Sequence, residues 1–371
     1  MFGFEKKLWK NFDIILFLDV LLLNACGFVV IYLATLESSA GYMRYLKPQG
    51  IAFILGIVAI LVLCTINYDL LRKLYLPIYI FCNLLLLAVL IIGKGDTTWG
   101  ARSWLIIGPI RFQPSEIAKI GIIISLAQYI DKNSEHINEL RVLLKVLIFA
   151  FVPVALVLKQ PDLGTATVFI FYTVIMLFIA GVKIKYYLYS IGLGLISIPF
   201  VWMNLGKYQK NRILVFLNPA IDTSGAGYQV YHSKIAIGSG ELFGRLISNE
   251  ARFIKSGYLP EKHTDFIFSV IGESFGFIGG CIILLLFFIL IYRLIKNARE
   301  AKDLFASLTI IGITSLITFH ILENIGMTMG LTPVTGIPLP FISYGGTFLL
   351  SNMISIGIVL SISMRKNKIN F

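Results

Sequence analysis

Four ionisable side chains, Glu261, Lys262, His263 and Asp265, stand within five positions of the stretch LPEKHTDFIF, residues 259–268. An apolar run long enough to cross a bilayer follows at once, so this charge is delivered to the lip of a span. A carboxylate there resists desolvation, which makes this cluster a candidate for proton transfer or ligand contact, a solvated loop end being the plain alternative. A second group lies in GARSWLIIGPIRFQPSEIAK, residues 100–119. Glu116 and Lys119 are three positions apart at the start of another apolar run, which on a helix puts them on one face. Lys119 either neutralises Glu116 and pins the helix, or presents a cation to a phosphate in a low-dielectric site. Asp162 in QPDLG lies near the same end and would share Lys119, while Arg102 and Arg111 supply guanidinium groups suited to bidentate phosphate contacts. Trp104 is either an interfacial anchor or a ring against which a sugar stacks. Glu273 follows Asp265 by eight residues, about two helical turns, so a helix carrying both would turn them into one cavity. Glu323 and Asp19, deep in apolar runs, are candidate polar contacts within a bundle, Asp19 with the weakest case for a role.

The elements that must position these groups are membrane helices. The chain has 371 residues, 57% hydrophobic and 14% charged, with a mean hydropathy of +0.84. Soluble domains are about one-quarter charged, so this composition implies an all-α polytopic membrane protein. Ten apolar runs of about span length recur, near 12–34, 49–66, 76–92, 114–130, 142–158, 164–181, 186–203, 266–292, 304–329 and 344–364. The first is too long for a signal-peptide core and lacks a small-residue cleavage site, so it is expected to be retained as a span. With the N-terminus inside, seventeen Lys and Arg fall in cytoplasmic segments and six in the short outer loops, which puts both termini in the cytoplasm. The net charge of +12 then suits an anionic lipid leaflet and calls for no nucleic acid.

One outer loop is long, about residues 204–264, within a single membrane domain spanning 1–371. Its IAIGSGELF stretch, residues 235–243, is semi-apolar and glycine-punctuated, and suggests a segment lying along or dipping into the membrane edge. The other polar segments rich in Gly and Pro (residues 100–119, KQPDLGT at 159–165 and TPVTGIPLPFISYGG at 332–346) also fall on the outer side, so the candidate chemistry converges on one face. The cysteines Cys26, Cys64, Cys82 and Cys281 lie inside predicted spans without metal-ligand spacing and read as small core residues. His136, His232, His263 and His320 show no metal-like spacing either. GxxxxGK[ST], HExxH and GxSxG are absent. A bond-forming reaction outside the cell must then draw its energy from the substrate, and a polyprenyl diphosphate-linked sugar meets that need.

The motifs GARSWL, RFQPSEIAK, QPDLGT, FLNP (216–219), GYQ (227–229), SKIAIGSG (233–240), LPEKHTDFIFSVIGE (259–273) and TGIPLPFISYGG (335–346), in this order, resemble the SEDS family of RodA, FtsW and SpoVE. Its members are membrane glycosyltransferases that polymerise peptidoglycan from lipid II. FLNP, SKIAIGSG and HTDFIFSV look more like the elongation branch, RodA, than the division branch. The resemblance implies that Asp265 is the general base, taking a proton from the acceptor sugar's C4 hydroxyl as it attacks the donor's anomeric carbon with inversion. A carboxylate is a weak base, so positioning or a raised pKa must assist it. Arg102, Arg111 and Lys119 would stabilise the donor diphosphate with Glu116 and Asp162 orienting Lys119, and Trp104, Glu261, His263 and Ser343 complete the implied substrate-binding set. A divalent cation, Mg or Mn, would assist without a visible ligand cluster.

The implied partners are lipid II, the growing glycan strand, membrane lipid, a class B penicillin-binding protein and the elongation machinery, at the bacterial cytoplasmic membrane. A lipid II flippase, a division or sporulation polymerase, and a noncatalytic scaffold are the other readings. A flippase would show charged sites open to both sides, whereas these motifs crowd one face. The chain departs from the family where IAIGSG runs on as Glu241, Leu242, Phe243, Gly244, Arg245 and Leu246 in place of a second glycine and GLFGKG, and where His232 replaces a usual Gln. Both departures bear on the conformation of the long loop more than on the carboxylate and cation motifs.

Overall fold

The computed structural model describes residues 9–36, 41–93, 103–107, 110–222, 225–248 and 259–366. Among them ten helices reach 17 residues or more: α1 (Ile14–Thr35), α2 (Met43–Thr65), α4 (Tyr75–Ile92), α5 (Pro114–Lys132), α6 (Leu140–Leu158), α7 (Leu163–Ile179), α8 (Ile184–Asn204), α12 (Ile267–Arg299), α13 (Leu304–Met329) and α14 (Gly346–Met364). They fall on the ten apolar runs of the sequence. Seven of them, α1, α2, α4, α6, α12, α13 and α14, are long and apolar enough to cross a membrane. α5 carries four charges, and the apolar stretches of α7 and α8 are shorter. Outward-facing apolar side chains such as Ile51 and Ile54 of α2, Ile91 of α4 and Phe288 of α12 are more than half exposed, a surface that suits lipid rather than water. Among the described residues the exception to helical structure is a small antiparallel hairpin, β1 (Leu105–Ile107) and β2 (Ile110–Phe112), inside the segment expected to be a polar loop.

The chain divides into two compact units with no marker in the sequence. The first comprises Met1–Tyr68, Val215–Glu300 and Ile317–Phe371. In it α2 packs along α14, where Gly56 lies against Met353 and Gly357 against Ile60 and Leu63, so that small residues bring the two backbones close. α1 packs on α12. Asp13 caps α1 by accepting from the Leu16 amide (3.0 Å), and it receives Arg293 through Nη2 (2.6 Å) and Nε (3.1 Å) and the Asn297 amide (2.7 Å). Asn297 in turn accepts from Ser363 (2.8 Å), and Lys366 pairs with Glu300. The ends of α1, α12 and α14 that the charge pattern assigned to the cytoplasm are therefore tied together.

The second unit comprises Asp69–Leu214 and Ala301–Leu316, including the short helix α3 (Asp69–Lys73) and the first half of α13. α4 and α5 pack closely at Cys82 and Gly121, and Tyr79 and Tyr129 stack on Phe149 at centroid distances of 3.8 and 4.5 Å. Arg72 pairs with Asp303 (2.7 Å) and Asp131 (3.7 Å) and lies over the Phe305 ring. Cys64 and Cys82 are buried and Cys26 half-buried, but Cys281 is exposed and so is not the core residue its apolar surroundings suggested.

The long segment between α8 and α12 is largely helical where described, with α9 (Lys207–Leu217), α10 (Ala226–Ser239) and the short α11 (Arg245–Ser248). Asp222 starts α10 by accepting from the Gly225 (2.7 Å) and Ala226 (3.0 Å) amides. α10 packs on the first turns of α12, so IAIGSGELF is the end of a helix followed by a turn.

Candidate active site

Asp265 precedes α12 rather than riding on it. The helix begins at Ile267, and residues 259–266 form a turn organised by Glu261. The Glu261 carbonyl accepts from the Thr264 (3.3 Å) and Phe266 (3.0 Å) amides, and its carboxylate accepts from the Thr264 hydroxyl (2.9 Å). The expectation that Asp265 and Glu273 share one helix face is corrected accordingly. Glu273 is fully buried within α12, while Asp265 is half-buried at the turn.

Three buried polar side chains hold this turn from behind. Asn324 of α13, with no exposed surface, donates to the backbone carbonyls of Asp265 and Ile337, each at 2.8 Å. Ser343 donates to the Thr264 carbonyl (2.6 Å) and accepts from the Leu339 amide (2.8 Å). Gln49 of α2 donates to the Ser343 carbonyl (3.2 Å) and accepts from the Gly345 amide (3.1 Å). The Tyr344 amide donates to the His263 carbonyl (2.9 Å). Phe266, next to the carboxylate, is buried with Val230, Leu259, Met327 and Val334. Gly336, at φ 75°, brings its backbone beside Asp265, where a Cβ would lie 3.2 Å from Oδ2. Ser343 is thus committed to two backbone partners and buried. Gln49 and Asn324 escaped the sequence reading, although a polar residue inside an apolar run was the available signal. His263 packs edge-on against Tyr45 and beside Tyr344, at 4.8 and 5.7 Å between centroids. Burial pulls its pKa below the ordinary 6.5, the Glu261 charge opposing and Lys262 reinforcing the shift, so the ring is neutral near pH 7.

α12 is broken at Gly276, whose φ of 66° and ψ of −162° belong to a region open essentially to glycine. The break frees the amides of Phe277 and Ile278, and the carbonyls of Glu241 (2.8 Å) and Leu242 (3.2 Å) accept them. This is protein satisfying irregular backbone, as a low-dielectric setting requires. Glu241 and Leu242 depart from the family pattern, yet they serve through main-chain atoms while their side chains are exposed. A Cβ on Gly240 would overlap the Gly272 carbonyl oxygen, which explains the glycine where the turn meets α12.

In the second unit α5 starts with Pro114, which needs no amide partner, and places Glu116 in its first turn, where the helix dipole favours a negative charge. Lys119 Nζ lies 3.0 Å from Glu116 Oε1, both side chains being buried, so the spacing gives the expected pair. Asp162 caps α7, accepting from the Thr165 amide (3.0 Å) and hydroxyl (2.8 Å). The Arg111 backbone pairs with Ile106 in the hairpin, and Trp104 is 39% exposed beside it. Arg102 lies outside the described residues. Glu323, in the first unit, accepts from the Thr335 hydroxyl (2.9 Å). Asp19 is 4% exposed, and its two carboxylate oxygens have no hydrogen-bond partner among the described residues. The structure therefore gathers Glu261, His263, Asp265 and Ser343 in one unit, and Glu116 with Lys119 in the other. Among the described residues no group of three or more His, Cys, Asp and Glu forms a donor set for a metal ion.

The family model described as "Cell cycle protein", covering FtsW, RodA and SpoVE, matches residues 13–368. The chain is 38% identical over 360 residues to a probable peptidoglycan glycosyltransferase FtsW of Trichlorobacter lovleyi, covering 95% of this chain and 93% of that one. It is 36% identical over 362 residues to the stage V sporulation protein E of Bacillus subtilis, covering 95% and 96%. Its fold matches a chain of a peptidoglycan synthase complex that coordinates polymerization and crosslinking, with a TM-score of 0.79, 30% identity and coverage of 95% and 97%. It also matches the rod shape determining protein RodA of Thermus thermophilus, with a TM-score of 0.72, 28% identity and coverage of 96% and 98%. With a family match that runs almost from end to end and a fold shared with solved relatives, this chain belongs to the FtsW/RodA/SpoVE family of SEDS proteins.

Proposed function

We propose that this chain is the glycan polymerase of a peptidoglycan synthase, joining lipid II units into strands on the outer face of the bacterial cytoplasmic membrane, with both its termini inside. The observation that carries the reading is the Asp265 turn. A half-exposed carboxylate is fixed there by backbone-directed bonds from Asn324 and Ser343, so the group that must meet a substrate proton is pre-positioned before substrate arrives. Asp265 accepts the proton of the acceptor C4 hydroxyl as that oxygen bonds to the donor's anomeric carbon. The bond from that carbon to the diphosphate oxygen breaks, and the polyprenyl diphosphate leaves with the electron pair. Lys119, with Arg102 and Arg111, balances the charge of the departing diphosphate, and buried Glu116, 3.0 Å away, aims the lysine. The described residues gather no donor set of their own for a divalent cation.

The partner is a class B penicillin-binding protein whose transpeptidase crosslinks the product, a reading supported by the fold shared with the synthase-complex chain. FLNP, SKIAIGSG and HTDFIFSV favour cell elongation as the role, while the relatives above carry the names FtsW, stage V sporulation protein E and rod shape determining protein RodA. Depletion in the native host separates these roles: loss of rod shape marks elongation, and filaments mark division. The activity is tested with purified lipid II, the chain and its cognate penicillin-binding protein. The wild-type complex makes polymer, and Asp265→Asn, nearly isosteric, loses about 10² to 10⁴ in rate with assembly intact. Near-normal polymer from that variant would remove Asp265 from the mechanism.

A further inference from the structure

Glu323 is a carboxylate inside the apolar run of α13, and it takes no part in the steps assigned to Asp265 and Lys119. It is half-buried, and among the described residues it has no ion-pair partner. A carboxylate in a membrane helix is costly to keep, so the bonds it makes point to its use. Its Oε1 accepts from the Thr335 hydroxyl at 2.9 Å, and the next residue, Gly336, lies with its backbone beside Asp265. We propose that Glu323 is a positioning residue for the polymerase reaction, holding Gly336 through Thr335 as the stop against which the Asp265 carboxylate is set.

Two consecutive residues of α13 grip both flanks of Gly336. Glu323 takes the Thr335 hydroxyl on one side, and Asn324 donates to the Ile337 carbonyl at 2.8 Å on the other. Asn324 also donates to the Asp265 carbonyl at 2.8 Å, so the glycine and the aspartate backbone are both referred to one point on one helix. The Thr332 hydroxyl adds a longer bond to the Glu323 carbonyl (3.4 Å), and Thr332 is seated where Gly326 has no side chain. Gly336 itself has a φ of 75°, in the left-handed region that favours glycine. A Cβ there would stand 3.2 Å from Asp265 Oδ2, so backbone and carboxylate are already close.

The bonds from Asn324 and Ser343 fix where the main chain of the Asp265 turn lies, but they leave the side-chain torsions of Asp265 to be set by what the carboxylate meets. Gly336 closes one side of the arc through which that carboxylate can turn. A general base must reach the proton it takes from the right direction, and a misplacement of about 1 Å can cost about 10² in rate. An anionic acceptor makes a stronger bond to a hydroxyl than a neutral one does, and a residue needed only to fill space in this helix would be apolar. Glu323 is thus explained by the bond it makes rather than by a charge it neutralises.

This inference rests on Asp265 being the base of a polymerase, and its test separates the two. The full chain with its cognate penicillin-binding protein is assayed on purified lipid II for kcat and KM, and its unfolding is followed in detergent. Glu323→Leu and Thr335→Val remove the bond and are expected to lower kcat about ten- to a hundredfold, with KM changed by less than about threefold. The double variant is expected to be no slower than the slower single one, because both changes remove the same bond. Glu323→Gln keeps an acceptor and Thr335→Ser keeps a hydroxyl, and each is expected to hold kcat within about threefold of wild type. Gly336→Ala presses a methyl group toward Oδ2 and is expected to lower kcat as well. Thr328→Val is the control, since Thr328 is buried on the same helix with its hydroxyl bonded to the Ile325 carbonyl (2.8 Å), and it is expected to leave kcat unchanged. If Glu323→Leu does not accumulate, the nearly isosteric Thr335→Val decides. Glu323→Gln as slow as Glu323→Leu, additive losses in the double variant, a change confined to KM, Gly336→Ala at the wild-type rate, or a Thr328→Val loss of equal size would each overturn the positioning role. Full-rate polymer from Asp265→Asn, or a wild-type complex that makes no polymer, would instead bring down the reading on which it rests.

Discussion

The Glu116–Lys119 pair offers a test that separates structure from catalysis. Its side chains are 6% and 2% exposed and 3.0 Å apart, so each charge relies on the other. At an effective dielectric of about 20, two unit charges at that distance attract by about 5 kcal/mol, most of it offset by the desolvation of both groups. Lys119→Met leaves the Glu116 carboxylate buried without this cation, at an expected cost of about 3–5 kcal/mol, and Glu116→Gln likewise leaves the ammonium without this carboxylate. The double variant removes both charges and should return most of the stability, so the coupling free energy from the four proteins is expected to be about 3 kcal/mol or more. Stability is read from unfolding of the purified chain in detergent, and polymerisation is measured on the same preparations. If Lys119 serves the diphosphate, the double variant folds and makes no polymer. A double variant that polymerises at the wild-type rate would refute the phosphate role, and a single Lys119→Met as stable as wild type would refute the energetic reasoning beneath it.

Ser343→Ala leaves the Thr264 carbonyl and the Leu339 amide without their buried partner. The expected loss is about 2–4 kcal/mol in unfolding free energy, with polymer rate falling further than stability because the Asp265 turn loosens. Gly240→Ala drives a Cβ into the Gly272 backbone and is expected to destabilise the chain by about 1–3 kcal/mol, read by detergent unfolding. His263 resists protonation in the folded chain, so the unfolded chain binds the proton first as pH falls. Its contribution is therefore intact above pH 6.5 and lost as pH drops through 6.5 toward the lower folded value, and His263→Asn should flatten that part of a stability–pH curve measured from pH 8 to 5.

What the sequence determined by itself is the part of the molecule set by local pattern. Apolar runs of bilayer length became helices because a backbone in lipid must satisfy its own hydrogen bonds, and a helix does so within one segment. Glu116 and Lys119 met because a spacing of three residues fixes their geometry once α5 forms. Asp162 offers a similar case, since an aspartate just before an apolar helix can cap that helix directly. The family motifs likewise singled out the Asp265 segment, to which the proposed chemistry is assigned. Tertiary structure decided the rest. Asn324 reaches Asp265 across 59 residues and Gln49 reaches Ser343 across 294, and no local propensity encodes such partners. The helix expected to carry both Asp265 and Glu273 starts two residues after Asp265, because Glu261 and the buried amides and hydroxyls around it hold the preceding segment as a turn. α12 breaks at Gly276 only because the Glu241 and Leu242 carbonyls are there to take the freed amides. Each of these outcomes depends on polar groups from distant segments meeting in the interior, where an unpaired group is costly, so the fold as a whole chooses the partners.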